Sequence, residues 1–418
     1  MDAKSYHDSK STEWLLNTCS LLIENKWAND KPLLFDGYFF SPQNREEAVL
    51  VFFEALVRNK ADVRVLTVKN AVLNLKARKT LDSFLSSNHS LRILNLCKIT
   101  IDDNLGYLPE SLFQARTIQE LRIECCKIAT EGGLALARML KTSSSLKTLD
   151  LTNVDFGNSF HEISIAFASS SCSLLHLELS ENTNLYGDNL ADLLKNLQCN
   201  RKLHSLTIDQ SRIGRTNAPD IATFLARNKS VRSLSLCDNY IDAECMRILT
   251  QEGLSYNTTL QTFFVSRNPL GDDGAIYLTD LLKSNDSLQS VIMVDCEIWN
   301  RGYKYLARGL AQMKGLRQLT ADGDELEEQV DEVLTSLETN MSLVNLLSDR
   351  MHSLVHTSSQ WKEVDFYLRL NRGKRRILIE QTVPVAVWPR ALEGLSSEPD
   401  ALFYMMKHKP DLLLKSNR

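Results

Sequence analysis

None of the nine cysteines in this chain has CxxC spacing. An odd number of cysteines without paired spacing reads as reduced thiols, not as a disulfide framework. For the adjacent Cys125 and Cys126 the expectation is a buried thiol beside an exposed one, not a redox pair. Long apolar runs are missing too. The most apolar stretch, AVLVFFEALV at 48–57, covers ten residues and carries Glu54, too short to span a bilayer. The opening MDAKSYHDSKSTEWLL lacks the apolar core of a signal peptide. Together these point to a cytoplasmic protein, with a nuclear location as the alternative. Charge is balanced, 48 basic against 52 acidic residues for a net −4, so nothing global argues for nucleic acid or membrane as partner.

Catalytic signatures are equally scarce. There is no GxxxxGK[ST] phosphate loop, no HExxH and no nucleophile–base motif. The expectation is a protein that is not an enzyme and needs no cofactor. A hydrolase site assembled across distant segments would escape this kind of reading and stays open as a minor alternative. His352 and His356 stand at i, i+4, but no carboxylate or cysteine nearby completes a zinc site. The acidic DGDELEE at 322–328 lacks calcium-loop spacing and reads as a loop entering a helix N-terminus.

What the chain has in abundance is one pattern. VRSLSL at 231 recurs as VRVLTV at 63, LRILNL at 91, IQELRI at 118, LKTLDL at 146, LLHLEL at 174 and LHSLTI at 203. LQTFFV at 260, LQSVIM at 288 and LRQLTA at 316 continue it, and FDGYFF at 35 and LVNLLS at 343 are weaker copies. The steps are 27, 28 or 29 residues throughout, the signature of a solenoid of about 12 repeats. Each copy opens as a strand with alternating apolar residues. An apolar residue then follows ten places after the first anchor, as at Leu73, Ile101, Ile128, Phe156, Ile213, Ile241, Leu270, Ile298 and Leu326. The second half reads as a helix; in 272–285, Ala275, Leu278, Leu281 and Leu282 share a face.

Two kinds of asparagine recur. Asn88, Asn200, Asn228, Asn257, Asn285 and Asn340 stand three residues before the next anchor. They read as helix stops that exploit the left-handed conformation, which also accounts for the glycosylation sequons at five of them. The ninth position holds Asn239, Asn182 and Asn268, with Cys126, Ser211 and Cys296 as equivalents. A carboxamide there can tie down buried backbone groups where the chain leaves the strand.

The form LxxLxLxx(N/C)xL, at alternating 28 and 29 residues with a helix per unit, resembles the leucine-rich repeats of ribonuclease-inhibitor type over roughly 35–350. The resemblance implies an α/β solenoid, a right-handed horseshoe with strands on its inner wall. Physics agrees, since strands stack ~4.8 Å apart and helices need ~8–10 Å. The cysteine content is far below that of true ribonuclease inhibitors, which argues against literal ribonuclease inhibition. Immune receptors with such repeats carry a nucleotide-binding domain, for which this chain has neither motif nor room. Helical caps are expected at 1–34, where Trp14, Leu15, Leu22 and Ile23 suggest an amphipathic helix, and at 351–418. The C-terminal stretch, with YLRLNRGKRR, VPVAVWPRAL and LFYMMKHKPDL, is similar to that of predicted leucine-rich-repeat proteins of diatom algae. Capping is its expected role and partner binding the alternative. Its cluster Arg369, Arg372, Lys374, Arg375 and Arg376 reads as a solvated helix end, or as a nuclear-localisation or phosphate-contact patch.

Alternation from the anchors turns positions 5 and 7 of each strand away from the core. On that concave face Glu124, Asp150, Glu178 and Asp209 form an acidic belt, while Phe264, Ile292 and Val294 form an apolar patch. His176 and His204 share the face as ordinary surface histidines or as a pH switch. The functional expectation is a scaffold that binds an unidentified, basic protein partner through this face. The alternative is a regulator of a small GTPase, although the acidic tail of such activators is missing from the closing LLLKSNR.

Overall fold

The computed structural model describes residues 12–21, 32–41, 43–59, 63–101, 110–113, 116–169, 171–185, 187–347, 358–372 and 403. It divides into two compact units, 1–212 and 213–418. In the first, seven strands run parallel and in chain order: Leu33–Asp36, Val65–Lys69, Ile93–Cys97, Glu120–Glu124, Thr148–Asp150, His176–Glu178 and Ser205–Thr207. In the second, five do so: Ser233–Ser235, Thr262–Phe264, Ser290–Met293, Gln318–Ala321 and Asn345–Leu347. Helices such as Ala129–Thr142, Gly271–Leu282 and Val330–Thr339 lie between consecutive strands. Parallel strands joined by helices, repeated in sequence order, make an α/β leucine-rich-repeat solenoid.

Register follows the sequence period. Val65 faces Ile93, Ile93 faces Glu120, Thr148 faces His176, His176 faces Ser205 and Ser290 faces Gln318. The fourth and sixth strand positions are buried, as with Leu121 and Ile123, both 0% exposed. Each such side chain contributes ~1.5–3 kcal/mol on burial. The apolar residue ten places after each anchor is buried wherever its side chain is described. In the 29-residue unit starting at 174, Leu185 fills that role one place late. In the other 29-residue unit, the helix Ala243–Ile248 runs into a π-helical turn, Leu249–Gly253. Such a turn accommodates one extra residue. A Cβ on Gly253 would lie 2.8 Å from the Ala222 Cα, so the two helices approach there too closely for a side chain.

The first weak copy is out of register with the expectation. Leu33 faces Leu66 and Phe35 faces Val68, an offset of 33 residues. Phe35 therefore occupies a sixth position and not an anchor. The chain turns at once through Gly37–Phe39, where a Cβ on Gly37 would meet the Asn70 carbonyl oxygen. Apolar bulk at Phe39 and Phe40 imitates the strand pattern, but that turn ends the strand at Asp36. At the N-terminal end, residues 12–21 are helical. Leu15, Thr18 and Cys19 form the buried face, with the Cys19 thiol 4.0 Å from the Val51 carbonyl. Trp14 is largely exposed, contrary to its expected place on the packed face; Leu22 and Ile23 lie outside the described residues.

The asparagines hold the repeats together, by a different route from the one expected for the helix stops. Asn88, Asn228, Asn257 and Asn340 have extended backbones, with φ between −93° and −70°. They act through the side chain. Asn257 Oδ1 accepts the N–H groups of Thr259 (2.8 Å) and Leu260 (2.7 Å), while its Nδ2 donates to the Leu225 carbonyl of the preceding repeat (2.6 Å). Their amides are committed to the fold, which explains the recurring sequons structurally. Left-handed residues stand elsewhere, nine of them at the eighth position: Asn70, Lys98, Cys125, Asn153, Glu181, Gln210, Asp238, Arg267 and Asp295, all with φ of 50–60°, while Arg212 and Glu297 stand at the tenth. The N–H of Lys98 donates to Glu124 O (2.9 Å), and that of Arg267 to Val294 O (2.8 Å). The left-handed bend thus carries the ladder of hydrogen bonds beyond the strand, by one residue at Lys98 and by three at Arg267.

At the ninth position, Asn268 accepts the N–H groups of Asn239 (3.1 Å) and Ile241 (3.0 Å). It donates to Leu236 O and Val265 O, both at 2.9 Å. Cys126 serves the same turn, accepting from Ile99 N–H (3.5 Å) and donating to the Leu96 and Glu124 carbonyls (3.8 and 3.1 Å). Burial pushes the Cys126 and Cys296 thiols up to about 12, so both stay protonated donors. All nine cysteines are free, with Cys126 buried and Cys125 partly exposed.

Candidate functional site

The acidic belt lies wholly in the first unit. Asp150 and Glu178 face each other directly across neighbouring parallel strands, and Arg122 faces Asp150 on the other side. Arg122 turns its guanidinium to Glu120 instead (Nε to Oε1, 2.7 Å). No cation among the described residues forms an ion pair with Glu124, Asp150 or Glu178. Two like charges directly opposite on adjacent strands are unfavourable. The belt is held in place by hydroxyls: Thr152 donates to Asp150 Oδ1 from both its N–H (3.1 Å) and its Oγ1 (2.7 Å). Ser180 binds Glu178 Oε1 in the same way, and its Oγ also accepts the Asp209 N–H (3.0 Å). Burial raises the Asp150 carboxyl above the usual range, against the lowering effect of the Thr152 bonds, and Glu124 adds to the rise. Burial likewise raises Glu178, partly offset by Ser180, with Asp150 and Asp209 pushing the same way as burial. Glu124 faces Cys97 across the ladder. Burial, then the bond to Glu124, lifts that thiol to about 11.

The apolar patch lies in the second unit. Phe264 faces Ile292 on the next strand, with Ser235 and Thr320 as their outer neighbours. Val294 follows two residues after Ile292, and its N–H donates to Ser266 Oγ (3.0 Å). All three side chains are half-buried and not fully exposed. At ~4.8 Å spacing, side chains in register cover one another's flanks. The intervening Phe263, Val291 and Met293 point the other way and are 0% exposed.

Thr152 and Ser180, which orient two of the belt carboxylates, were missed as members of the site. Their signal was present, as a hydroxyl residue two places after each carboxylate in LDLT and LELS. Leu34, also exposed on a strand, was hidden by the misread register of the first copy. His176 is exposed and His204 half-buried, each on or beside its strand. The acidic stretch at 322 does enter a helix, Gly323–Glu327. There Asp322 accepts from the Tyr303 hydroxyl (2.8 Å) and the Asp295 N–H (2.9 Å). Arg369 and Arg372 both pair with Asp365 (3.0 and 3.6 Å); Lys374, Arg375, Arg376, His352 and His356 lie outside the described residues. Among the described residues no His, Cys, Asp and Glu group is arranged to hold a metal ion, and no helix is long and apolar enough to cross a membrane.

Fold and ladder together define a repeat protein of the leucine-rich class. The Leucine Rich repeat family model matches residues 114–137 and 256–278. The chain is 26% identical over 286 residues to the ribonuclease inhibitor of Sus scrofa, covering 67% of this chain and 62% of that one. It is 23% identical over 322 residues to the ribonuclease inhibitor of Mus musculus, covering 62% and 70%. It is also 26% identical over 323 residues to NACHT, LRR and PYD domains-containing protein 5 of Mus musculus, covering 76% of this chain but only 27% of that protein. The chain therefore spans about a quarter of that protein and under two thirds of the porcine inhibitor. It is a leucine-rich-repeat protein, and its repeats are similar to those of ribonuclease inhibitors.

Proposed function

We propose that the chain is a non-enzymatic interaction scaffold that binds a basic protein partner through the concave, strand-lined face of its repeats. Phe264, Ile292 and Val294 serve as the anchor, and Glu124, Asp150, Glu178 and Asp209 steer the approach. The observation that carries this reading is the in-register pair Phe264 and Ile292 on a strand face where neighbouring positions are serine and threonine. Adjacent apolar side chains on such a face mark a contact surface. The carboxylates of Asp150 and Glu178, aligned without an ion pair to any cation among the described residues, suit a cationic partner. Kinship with ribonuclease inhibitors, named for acting on another protein, supports protein binding as the class of function.

Affinity purification with the full chain, compared with Phe264→Asp and Ile292→Asp, tests the reading. A protein retained by the parent and lost from both variants supports it; identical recovery in all three removes the patch. A turnover assay with a panel of small GTPases separates simple binding from GTPase regulation, since stimulated hydrolysis would favour the latter.

A further inference from the structure

In the first unit, the turns that lead into the strands carry charge of one sign. Segments 88–92, 116–119, 141–147, 171–175 and 198–204 hold Arg92, Arg116, Lys141, Lys147, Arg201 and Lys202, and no aspartate or glutamate. All six cations are exposed. Among the described residues, Arg92, Arg116, Lys141, Lys147 and Arg201 form no ion pair. The turns that leave the same strands carry both signs, and there Lys127 pairs with Asp155. The helix dipole accounts for Lys141, in the last turn of Ala129–Thr142. Arg92 and Lys147 stand at strand starts, where no such reason applies.

Backbone register gathers these cations into a row. The Arg92 carbonyl accepts the Gln119 N–H (2.7 Å), the Gln119 carbonyl that of Lys147 (2.7 Å) and the Lys147 carbonyl that of Leu175 (2.8 Å). Successive turns thus stack at the strand spacing of ~4.8 Å. Side chains bridge the steps. Arg92 Nη1 donates to the Thr117 carbonyl beside Arg116 (3.2 Å), and Lys147 Nζ to the carbonyls of Ser144 (3.2 Å) and Ser173 (3.5 Å). Burial raises the Cys172 thiol, while the Leu174 N–H, Lys202 and Lys147 act against it, so cations from two turns stand near one thiol. The Arg92 guanidinium and the Lys147 ammonium keep donors beyond these bonds.

We propose that this row is a docking surface for an acidic protein segment, a run of Asp and Glu side chains on a partner. A single-sign row sets up a field that draws opposite charge, and carboxylates accept strongly from guanidinium and ammonium donors. The same turns hold no Phe, Tyr or Trp on which bases could stack. No large apolar side chain is exposed there to enter a lipid interface. The row is opposite in sign to the concave carboxylates of the same unit, so the segment it takes differs from the basic partner of that face, and either surface can fail alone.

Fluorescence anisotropy of a labelled oligoglutamate peptide, titrated with the full chain, tests the assignment. Affinity should fall steeply as salt rises. Arg92→Glu with Lys147→Glu should weaken binding at least about tenfold at low salt, and so should Arg116→Glu with Arg201→Glu. Lys127→Glu with Arg212→Glu makes the same change in net charge at the turns that leave the strands, and should alter binding by less than about twofold. Two separate pairs keep the test decisive if one variant fails to fold. The same proteins are titrated against a labelled DNA duplex and against phosphatidylserine vesicles. Equal weakening by the Lys127 and Arg212 pair overturns the proposal, because net charge alone then attracts the peptide. No peptide binding at low salt overturns it too. So does tighter binding of duplex or vesicles that depends on the row, since the occupant is then nucleic acid or membrane.

Discussion

Asn268 reaches two N–H groups and two carbonyls in a buried bend, and it is itself only 2% exposed. Its replacement by alanine leaves those groups without partners. At ~1–3 kcal/mol for each buried polar group stranded, Asn268→Ala should cost on the order of 3–5 kcal/mol in equilibrium denaturant unfolding. Asn268→Cys should cost less than half as much, because cysteine serves the same turn at positions 126 and 296. Equal losses for the two would refute a hydrogen-bonding role. This position was legible in the sequence, since only a few side chains can both donate and accept within a buried turn. The left-handed eighth position was not. In its nine left-handed cases it holds asparagine, lysine, cysteine, glutamate, glutamine, aspartate and arginine, and never the glycine that would have signalled it; the glycine at an eighth position, Gly323, opens a helix instead. Lys98, with φ of 52°, is the plainest test. A left-handed non-glycine residue carries a penalty of ~1 kcal/mol, so Lys98→Gly should raise stability by up to ~1 kcal/mol. A destabilised variant would mean that the lysine side chain contributes something the backbone argument ignores.

Strand register was readable because a period of two combined with a fixed step leaves one consistent alignment, as Val65 to Ile93 and His176 to Ser205 illustrate. It failed at Phe35, where the steric turn at Gly37 and not apolar content decides the end of the strand. Neighbouring strands also impose an energetic cost that no single strand reveals, namely Asp150 opposite Glu178. Both carboxyls are raised in the folded protein, so the native state holds their protons more tightly than the unfolded chain does. Their contribution to stability is full below the unfolded carboxylate range and is lost as pH rises through the raised folded values. Glu178→Gln should therefore stabilise the protein at neutral pH by ~0.5 kcal/mol, screened by salt, and have little effect in acid. Melting curves across pH 3–8, a span of about five units chosen to bracket carboxyl titration, provide the check. A glutamine variant less stable at neutral pH would show that the carboxylate is paired after all.

Across the whole chain, the two candidate determinants fall on different units: the carboxylates all precede residue 212 and the apolar triad all follows 213. Repeat architecture explains why composition could reveal a fold and not a partner. Each repeat spends its invariant positions on its neighbours, and recognition is left to the few side chains that alternate outward. The division also makes the proposed roles separable by kinetics. Charges act over a distance and mainly set the rate of encounter, whereas a desolvated anchor mainly sets the rate of escape. With an identified partner, reversing Asp150, Glu178 and Asp209 to lysine should slow association about tenfold at low salt and flatten its salt dependence, with dissociation little changed. Phe264→Asp should leave association within about threefold and speed dissociation by about 30-fold or more, the equivalent of losing ~2 kcal/mol at a central contact. Surface plasmon resonance at two ionic strengths reads both rates. If the belt variant altered only dissociation, the carboxylates would be direct contacts and not a steering field. If neither set of substitutions moved either rate, the partner would bind elsewhere on the molecule.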